Sequence, residues 1–181
     1  MRVIAGTAKG RVLKLDRQSG IRPTSDKLKE ALFATLGPEV QARRVLDLFA
    51  GTGALGIEAL SRGAASATFV ESSRRAVATI RQNLEATGFY ERAVVVQQPV
   101  ERFVAVPARE SFDLVLMDPP YAVGLPSEVL MRLSEGGFLE PGAGVVVEIS
   151  SRLDHIEVPA GYTLERERRY GDSALVYLSA E

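Results

Sequence analysis

The chain contains no cysteine and a single histidine, His155. Without cysteine there is no disulfide, no thiolate metal site and no sulfur nucleophile. One histidine with no accompanying acidic cluster makes a poor metal site, so no metal is expected, and His155 reads as a surface residue. The sequence also lacks an apolar run long enough to span a bilayer and a charged-then-apolar leader after Met1. A cytoplasmic protein with no membrane partner is the plain expectation. Asparagine is almost absent and arginine outnumbers lysine. A hot habitat or a GC-rich genome would each produce that bias.

What is present is ordinary for a globular chain: 181 residues, 46% hydrophobic and 25% charged. That length suits one domain with a sizeable core. The net charge of −1 hides an asymmetry. Residues 1–30 hold eight basic side chains (Arg2, Lys9, Arg11, Lys14, Arg17, Arg22, Lys27, Lys29) against Asp16, Asp26 and Glu30, while the remainder carries fourteen basic against twenty acidic residues. A basic arm on an acidic body suits a polyanion docked at one end, although a solvated basic face with no partner explains the charge equally well.

The organising stretch is Val45-Leu46-Asp47-Leu48-Phe49-Ala50-Gly51-Thr52-Gly53-Ala54-Leu55-Gly56. An apolar strand runs into a glycine turn, and helical spacing (Leu55, Ala59, Leu60) begins at once. That is the place where an open α/β sheet binds a ligand. The spacing Gly51-x-Gly53-x-x-Gly56 also fits the dinucleotide fingerprint, so the turn alone leaves nicotinamide nucleotides and S-adenosylmethionine both open. Asp47 would repel a pyrophosphate and attract a cationic ligand, or would simply cap the turn.

Around this stretch the chain reads as alternating elements. Arg2-Val3-Ile4-Ala5 and Arg11-Val12-Leu13-Lys14-Leu15 form a small hairpin with Arg2, Lys9, Arg11 and Lys14 on its polar face. Ile21-Arg22-Pro23-Thr24 is an extended strap, and Thr24-Ser25-Asp26 caps a helix that Gly37-Pro38 stops. Residues 1–43 thus read as a basic N-terminal appendage to a core over 44–181. Ala67-Thr68-Phe69-Val70-Glu71 is the second strand, and Glu71, 20 residues beyond Gly51, is spaced to grip a ribose hydroxyl pair. A helix capped by Ser72-Ser73 turns Ala76, Val77, Ile80 and Leu84 inward. Val94-Val95-Val96 is a strand ending at Gln97-Gln98-Pro99-Val100, where an adenine would lie. Phe112 to Met117, Gly144 to Ile149, and an antiparallel pair at Leu164–Arg168 and Ala174–Leu178 complete seven strands. The fold class is α/β, a doubly wound sheet with an antiparallel edge pair.

Asp118-Pro119-Pro120-Tyr121 follows a buried strand expected beside the glycine-turn strand. Two prolines remove amide donors, so carbonyls and the Asp118 carboxylate form a rigid set of acceptors. Such a corner suits a planar exocyclic amine, whose lone pair is delocalised into its ring. Hydrogen bonds accepted from both N–H groups pull the nitrogen toward pyramidal geometry, and Tyr121 offers a face for an extruded base, worth roughly 1–3 kcal/mol. Positioning alone can supply roughly 7–11 kcal/mol of the barrier. A proline-rich turn with no such role is the bland reading, and Asp47, the glycine turn and Glu71 in this order outweigh it. Methylation of a pyrimidine carbon, which needs a thiolate, is excluded.

On these residues the chain resembles the class I adenosylmethionine-dependent methyltransferases, and within them the RsmD-type enzymes of bacterial 16S rRNA. The likeness runs through Arg2-Val3-Ile4-Ala5-Gly6, Lys9-Gly10-Arg11, Ile21-Arg22-Pro23-Thr24, Lys29-Glu30-Ala31-Leu32-Phe33, Leu46 to Gly56, Glu58 to Ala64, Val70-Glu71, the Asp118–Tyr121 turn and Tyr170-Gly171-Asp172. The resemblance implies a Rossmann-like sheet and transfer from S-adenosylmethionine to the N(2) amine of a guanine in 16S rRNA on a nearly assembled small subunit. It implies catalysis by Asp118, Pro119, Pro120 and Tyr121. It implies a cofactor held by Asp47, Phe49, Gly51, Gly53, Glu71, Gln98, Val100 and Thr24, and RNA gripped by Arg2, Lys9, Arg11, Lys14 and Arg22. A monomer is expected. Pro99 departs from the Asp or Asn of many relatives, which leaves Gln98 or backbone groups for the adenine amine. An adenine-N6 methyltransferase acting on DNA, a non-catalytic assembly factor and a dehydrogenase are the competing readings.

Overall fold

The computed structural model describes residues 1–15, 25–120, 125–151 and 156–181. Strands β1 (Arg44–Leu48), β2 (Ser66–Glu71), β3 (Ala93–Gln97), β4 (Phe112–Met117), β5 (Leu139–Ser150), β6 (Tyr162–Tyr170) and β7 (Ser173–Ala180) form one sheet in the order β3-β2-β1-β4-β5-β7-β6. Pairing is parallel from β3 through β5, and β7 runs antiparallel to both β5 and β6. The helices are α1 (Asp26–Leu36), α2 (Ala54–Ser61), α3 (Arg74–Thr87), α4 (Val100–Phe103) and α5 (Leu125–Glu135). Among the described residues no helix is long and apolar enough to cross a membrane.

Alternation along the strands divides the core in two. Val45, Leu114 and Leu116 pack on the α1–α2–α3 side, while Leu46, Leu48, Val115 and Met117 pack on the α4–α5 side. With a side-chain period of two, Asp47 falls on the same side as Val45, directly beneath α2. The chain reverses its winding between β1 and β4. Crossovers leave opposite ways there, opening a crevice at the carboxyl ends of those two strands. At the other end, Arg44 clasps β4: its guanidinium donates to both Asp113 oxygens at 3.0 Å and also to Glu140 of β5. That guanidinium holds the Asp113 carboxyl below its usual range.

The local signals act as expected at the helix ends. Ser25 accepts from the Leu28 N–H, and Ser73 accepts from the Ala76 N–H. Three details differ. The N-terminal hairpin forms a single antiparallel bridge, Arg2 to Val12, with turns filling residues 5–10 instead of regular strands. Its backbone is shared between itself and the helices. The Val3 N–H donates to the Arg11 carbonyl at 2.9 Å and the Leu13 N–H to the Met1 carbonyl at 3.0 Å, while the Ile4 and Ala5 N–H groups donate to Glu58 at 2.9 and 3.0 Å, and the Ala8 N–H donates to Ser61 Oγ at 3.0 Å. Second, the short helix α4 was not foreseen. The Pro99 carbonyl accepts the Arg102 and Phe103 N–H groups at 3.1 Å each, so the proline opens a helical turn. Third, β5 begins five residues earlier than its apolar run, with a register shift against β4 between Phe112 and Leu114.

Val3, Ala8 and Leu13 of the hairpin are buried in the same cluster as α2 and β2, so the arm shares the core of the sheet. Edge strand β6 exposes Glu165, Arg166, Arg168 and Arg169, charges that discourage pairing with another chain.

Candidate functional site

The crevice is built on the turn between β1 and α2. Phe49 leaves the strand at a φ of 59°, a left-handed conformation rare outside glycine. Gly51 (φ 55°) and Gly53 (φ 77°) continue the turn, and the Gly53 N–H donates to the Ala50 carbonyl at 2.7 Å. Because Gly53 occupies the N-cap of α2, no side chain is available there to satisfy the first helical amides. Asp47 takes that task, its Oδ2 accepting the Gly56 N–H at 2.9 Å.

Glu71 holds the other side of the turn. Its Oε2 accepts the Gly51 N–H at 2.8 Å, and its Oε1 accepts the Ser73 N–H at 2.8 Å and the Ser72 hydroxyl at 3.4 Å. The carboxylate therefore shapes the glycine turn and the start of α3 together. Oε2, which accepts one bond, keeps a further lone pair for a hydroxyl.

Asp118 stands at the end of β4, its N–H donating to the Leu48 carbonyl at 3.5 Å. Asp118 is half-buried, Pro119 buried and Pro120 exposed. The three carboxylates Asp47, Glu71 and Asp118 gather at the carboxyl ends of neighbouring strands. Burial pushes the Asp47 carboxyl well above its ordinary range, the Gly56 N–H opposes this, and the charges of Asp118 and Glu71 add to it. A concentration of negative charge under low-dielectric cover favours a cation in the crevice.

At the far rim, Val100 is buried at the start of α4 and Gln98 is half-buried before it. Arg2, Lys9, Arg11 and Lys14 are all exposed on the hairpin. Tyr121, Thr24, Arg22 and His155 lie outside the described residues. A separate cavity of about 360 Å³ opens at the opposite end of the sheet, among Leu36, Arg43, Leu114 and Tyr177, away from these carboxylates.

The family model described as conserved hypothetical protein 95 matches residues 1–179. Ribosomal RNA small subunit methyltransferase D of Escherichia coli is 38% identical over 174 residues, covering 96% of this chain and 87% of the relative. The chain belongs to the RsmD family. A solved Escherichia coli chain carrying a methyltransferase name superposes on this RsmD-family protein with a TM-score of 0.88 at 37% identity, covering 100% of this chain and 98% of the other. An RNA methyltransferase from Salinibacter ruber, solved in complex with S-adenosyl-L-homocysteine, shares the fold at a TM-score of 0.68 and 17% identity, covering 88% and 94%. The sheet is therefore the Rossmann-like methyltransferase sheet with its antiparallel edge pair.

Two residues that organise this RsmD-family site were not singled out from sequence. Glu58 is the one charged residue in a helix buried on every side, which is itself a signal that it must be paired. Asn83 sits on the inward stripe of α3 among Ala76, Val77, Ile80 and Leu84, where a polar side chain calls for a partner.

Proposed function

We propose that this RsmD-family protein transfers a methyl group from S-adenosylmethionine to the exocyclic N(2) amine of a guanine in 16S rRNA, acting as a monomer on assembled small ribosomal subunits in the cytoplasm. The observation that carries the reading is the gathering of Asp47, Glu71 and Asp118 around a glycine turn at the topological switch of the sheet.

The residues present fit the cofactor. A Cβ built on Gly51 would meet only the Phe49 carbonyl, at 3.9 Å, so the backbone there is open to close approach by a ligand. Glu71 accepts from the ribose hydroxyls, Asp47 provides negative potential for the ammonium, and Gln98 and Val100 flank the adenine, with Thr24 and Phe49 completing the enclosure. S-adenosylmethionine, when bound, supplies an electrophilic methyl group on a sulfonium.

The chain's own work is on the amine. The Asp118 carboxylate and the Pro119 carbonyl accept its two N–H bonds, and Pro120 keeps the corner free of competing donors. Holding the nitrogen in this way frees its lone pair from the ring and fixes its direction. The proton then released goes to Asp118 or to water, and no covalent enzyme intermediate is required. Tyr121 stacks on the base. Residues 1–43 serve as the RNA-gripping part through Arg2, Lys9, Arg11, Lys14 and Arg22, and residues 44–181 as the catalytic core.

The deciding experiment incubates unmodified small subunits with the protein and S-adenosylmethionine, then identifies the modified nucleoside of 16S rRNA by mass spectrometry. N(2)-methylguanosine is expected from the wild type. Asp118→Ala should lower its formation by about 100-fold or more while still binding adenosylhomocysteine. A methylated adenine, or full turnover by the variant, would overturn the reading.

A further inference from the structure

Asn83 is the only asparagine in the chain, and it is 1% exposed. From α3 its side chain reaches two separate segments. Its Oδ1 accepts the Lys14 N–H at 2.8 Å, while its Nδ2 donates to the Lys14 carbonyl at 3.1 Å and to the Thr52 carbonyl at 3.0 Å. The paired bonds to Lys14 copy those of a neighbouring strand, so a side-chain amide stands in for the missing strand partner of the hairpin. Only an amide offers one acceptor and two donors at this spot; Asp has no donor and Leu has neither. Turning the amide over would set its NH2 against the Lys14 N–H and its oxygen against two carbonyls, so the network fixes its orientation.

The Thr52 carbonyl belongs to the peptide that precedes Gly53, and the N–H of that same peptide donates to Ala50 at 2.7 Å. Asn83 and Ala50 thus hold the two poles of one peptide plane inside the glycine turn. On the other side of Asn83, Lys14 is exposed, and its ammonium donates to Gln82 of α3 at 3.1 Å. Glu58 and Ser61 also fasten the hairpin, but from within and at the end of α2; Asn83 touches the turn itself.

We infer that Asn83 is a positioning residue that couples the basic arm to the glycine turn, so that a ligand on the turn tightens the arm for RNA, and RNA on the arm tightens the turn for the ligand. The inference rests on the reading of the turn as the S-adenosylmethionine site. Such coupling is reciprocal by thermodynamic necessity.

Hydrogen exchange of the full-length protein, with and without adenosylhomocysteine, tests it without any substitution. The ligand should slow exchange in the turn around residues 50–56 and also in the arm around residues 13–15, the latter by about fivefold or more. Protection of the turn alone would overturn the coupling and leave the proposed activity standing; protection of neither would overturn both. Asn83→Asp keeps the size and the acceptor but removes both donors. In that variant arm protection should vanish while turn protection remains, and KM for small subunits should rise several-fold with little change in kcat. Arm protection that survives in Asn83→Asp would refute the role of this residue.

Discussion

The ammonium of Lys29 lies 3.5 Å from the carboxylate of Glu58, and neither side chain is exposed to solvent. Lys29 also donates to the Arg2 carbonyl at 2.6 Å, and Glu58 receives Ile4, Ala5 and the Arg62 guanidinium, the last at 2.9 Å. Helix α1, helix α2 and the arm meet at this one buried pair. Burial pushes the Lys29 ammonium below its ordinary range, and Glu58 pulls it back.

Removing one partner of such a pair strands the other. Glu58→Ala should therefore cost about 3–5 kcal/mol in denaturant unfolding. Lys29→Met should cost less, because Glu58 keeps Arg62 and two backbone donors. Equal losses would mean that the arm is not fastened through Glu58.

A second prediction concerns crowding beneath the turn. A Cβ on Gly56 would lie 2.3 Å from Phe69 Cε1 and 3.0 Å from Asp47 Oδ2. Phe69 is fully buried on β2 and has no room to yield. Gly56→Ala should destabilise the fold by about 1–3 kcal/mol or more, as overpacking does. It should also weaken adenosylhomocysteine binding, both measurable by thermal shift with and without ligand. An unchanged melting temperature would contradict this packing.

Asp47 supplies a pH test. Its carboxyl is raised by burial, so between the ordinary carboxylate range and its raised value the native protein holds a proton that the unfolded chain has lost. Stability from this group accordingly falls as pH rises through that window. Asp47→Asn keeps an acceptor for the Gly56 N–H and abolishes the cost of a buried charge. Without ligand, its Tm at pH 7.5 should equal or exceed the wild type, by about 2–4 °C for each kcal/mol recovered. Its affinity for S-adenosylmethionine should drop. Wild-type affinity should weaken on acidification at a pH above the usual carboxylate range, and the variant should lose that dependence. A wild-type profile that is flat there would remove the electrostatic role assigned to Asp47.

The exposed arm predicts a salt effect. Replacing Arg2, Lys9 and Arg11 together with glutamine should flatten the slope of log K for RNA against log salt by about 2, roughly 0.7 for each lost phosphate contact on single-stranded RNA. Thermal stability should hardly change, because these side chains are solvent-exposed. An unchanged slope would place RNA elsewhere on the protein.

Much of this protein was legible from its residues alone. The strand run before Gly51, the caps Ser25 and Ser73, and the stop at Gly37 act locally, through periodicity and backbone chemistry, and the structure places each where the pattern does. The adjacency of β1 and β4, which brings Asp118 beside the glycine turn, also followed from the alternation of strands and helices. The fate of the arm was different. Its alternating residues suggested two paired strands, yet only part of its backbone pairs within the hairpin, and the N–H groups of Ile4, Ala5, Ala8 and Lys14 donate to Glu58, Ser61 and Asn83, more than 50 residues away in the chain. Likewise, the capping role left open for Asp47 is the bond it accepts from the Gly56 N–H, whereas Glu71 was legible as an acid near a ligand but not as the group that holds the Gly51 amide. Local pattern determines which segments are strands and helices, because each is set by neighbours a few positions apart. Which buried donor meets which acceptor is decided only when the sheet closes and every polar group shut away from water must find a partner.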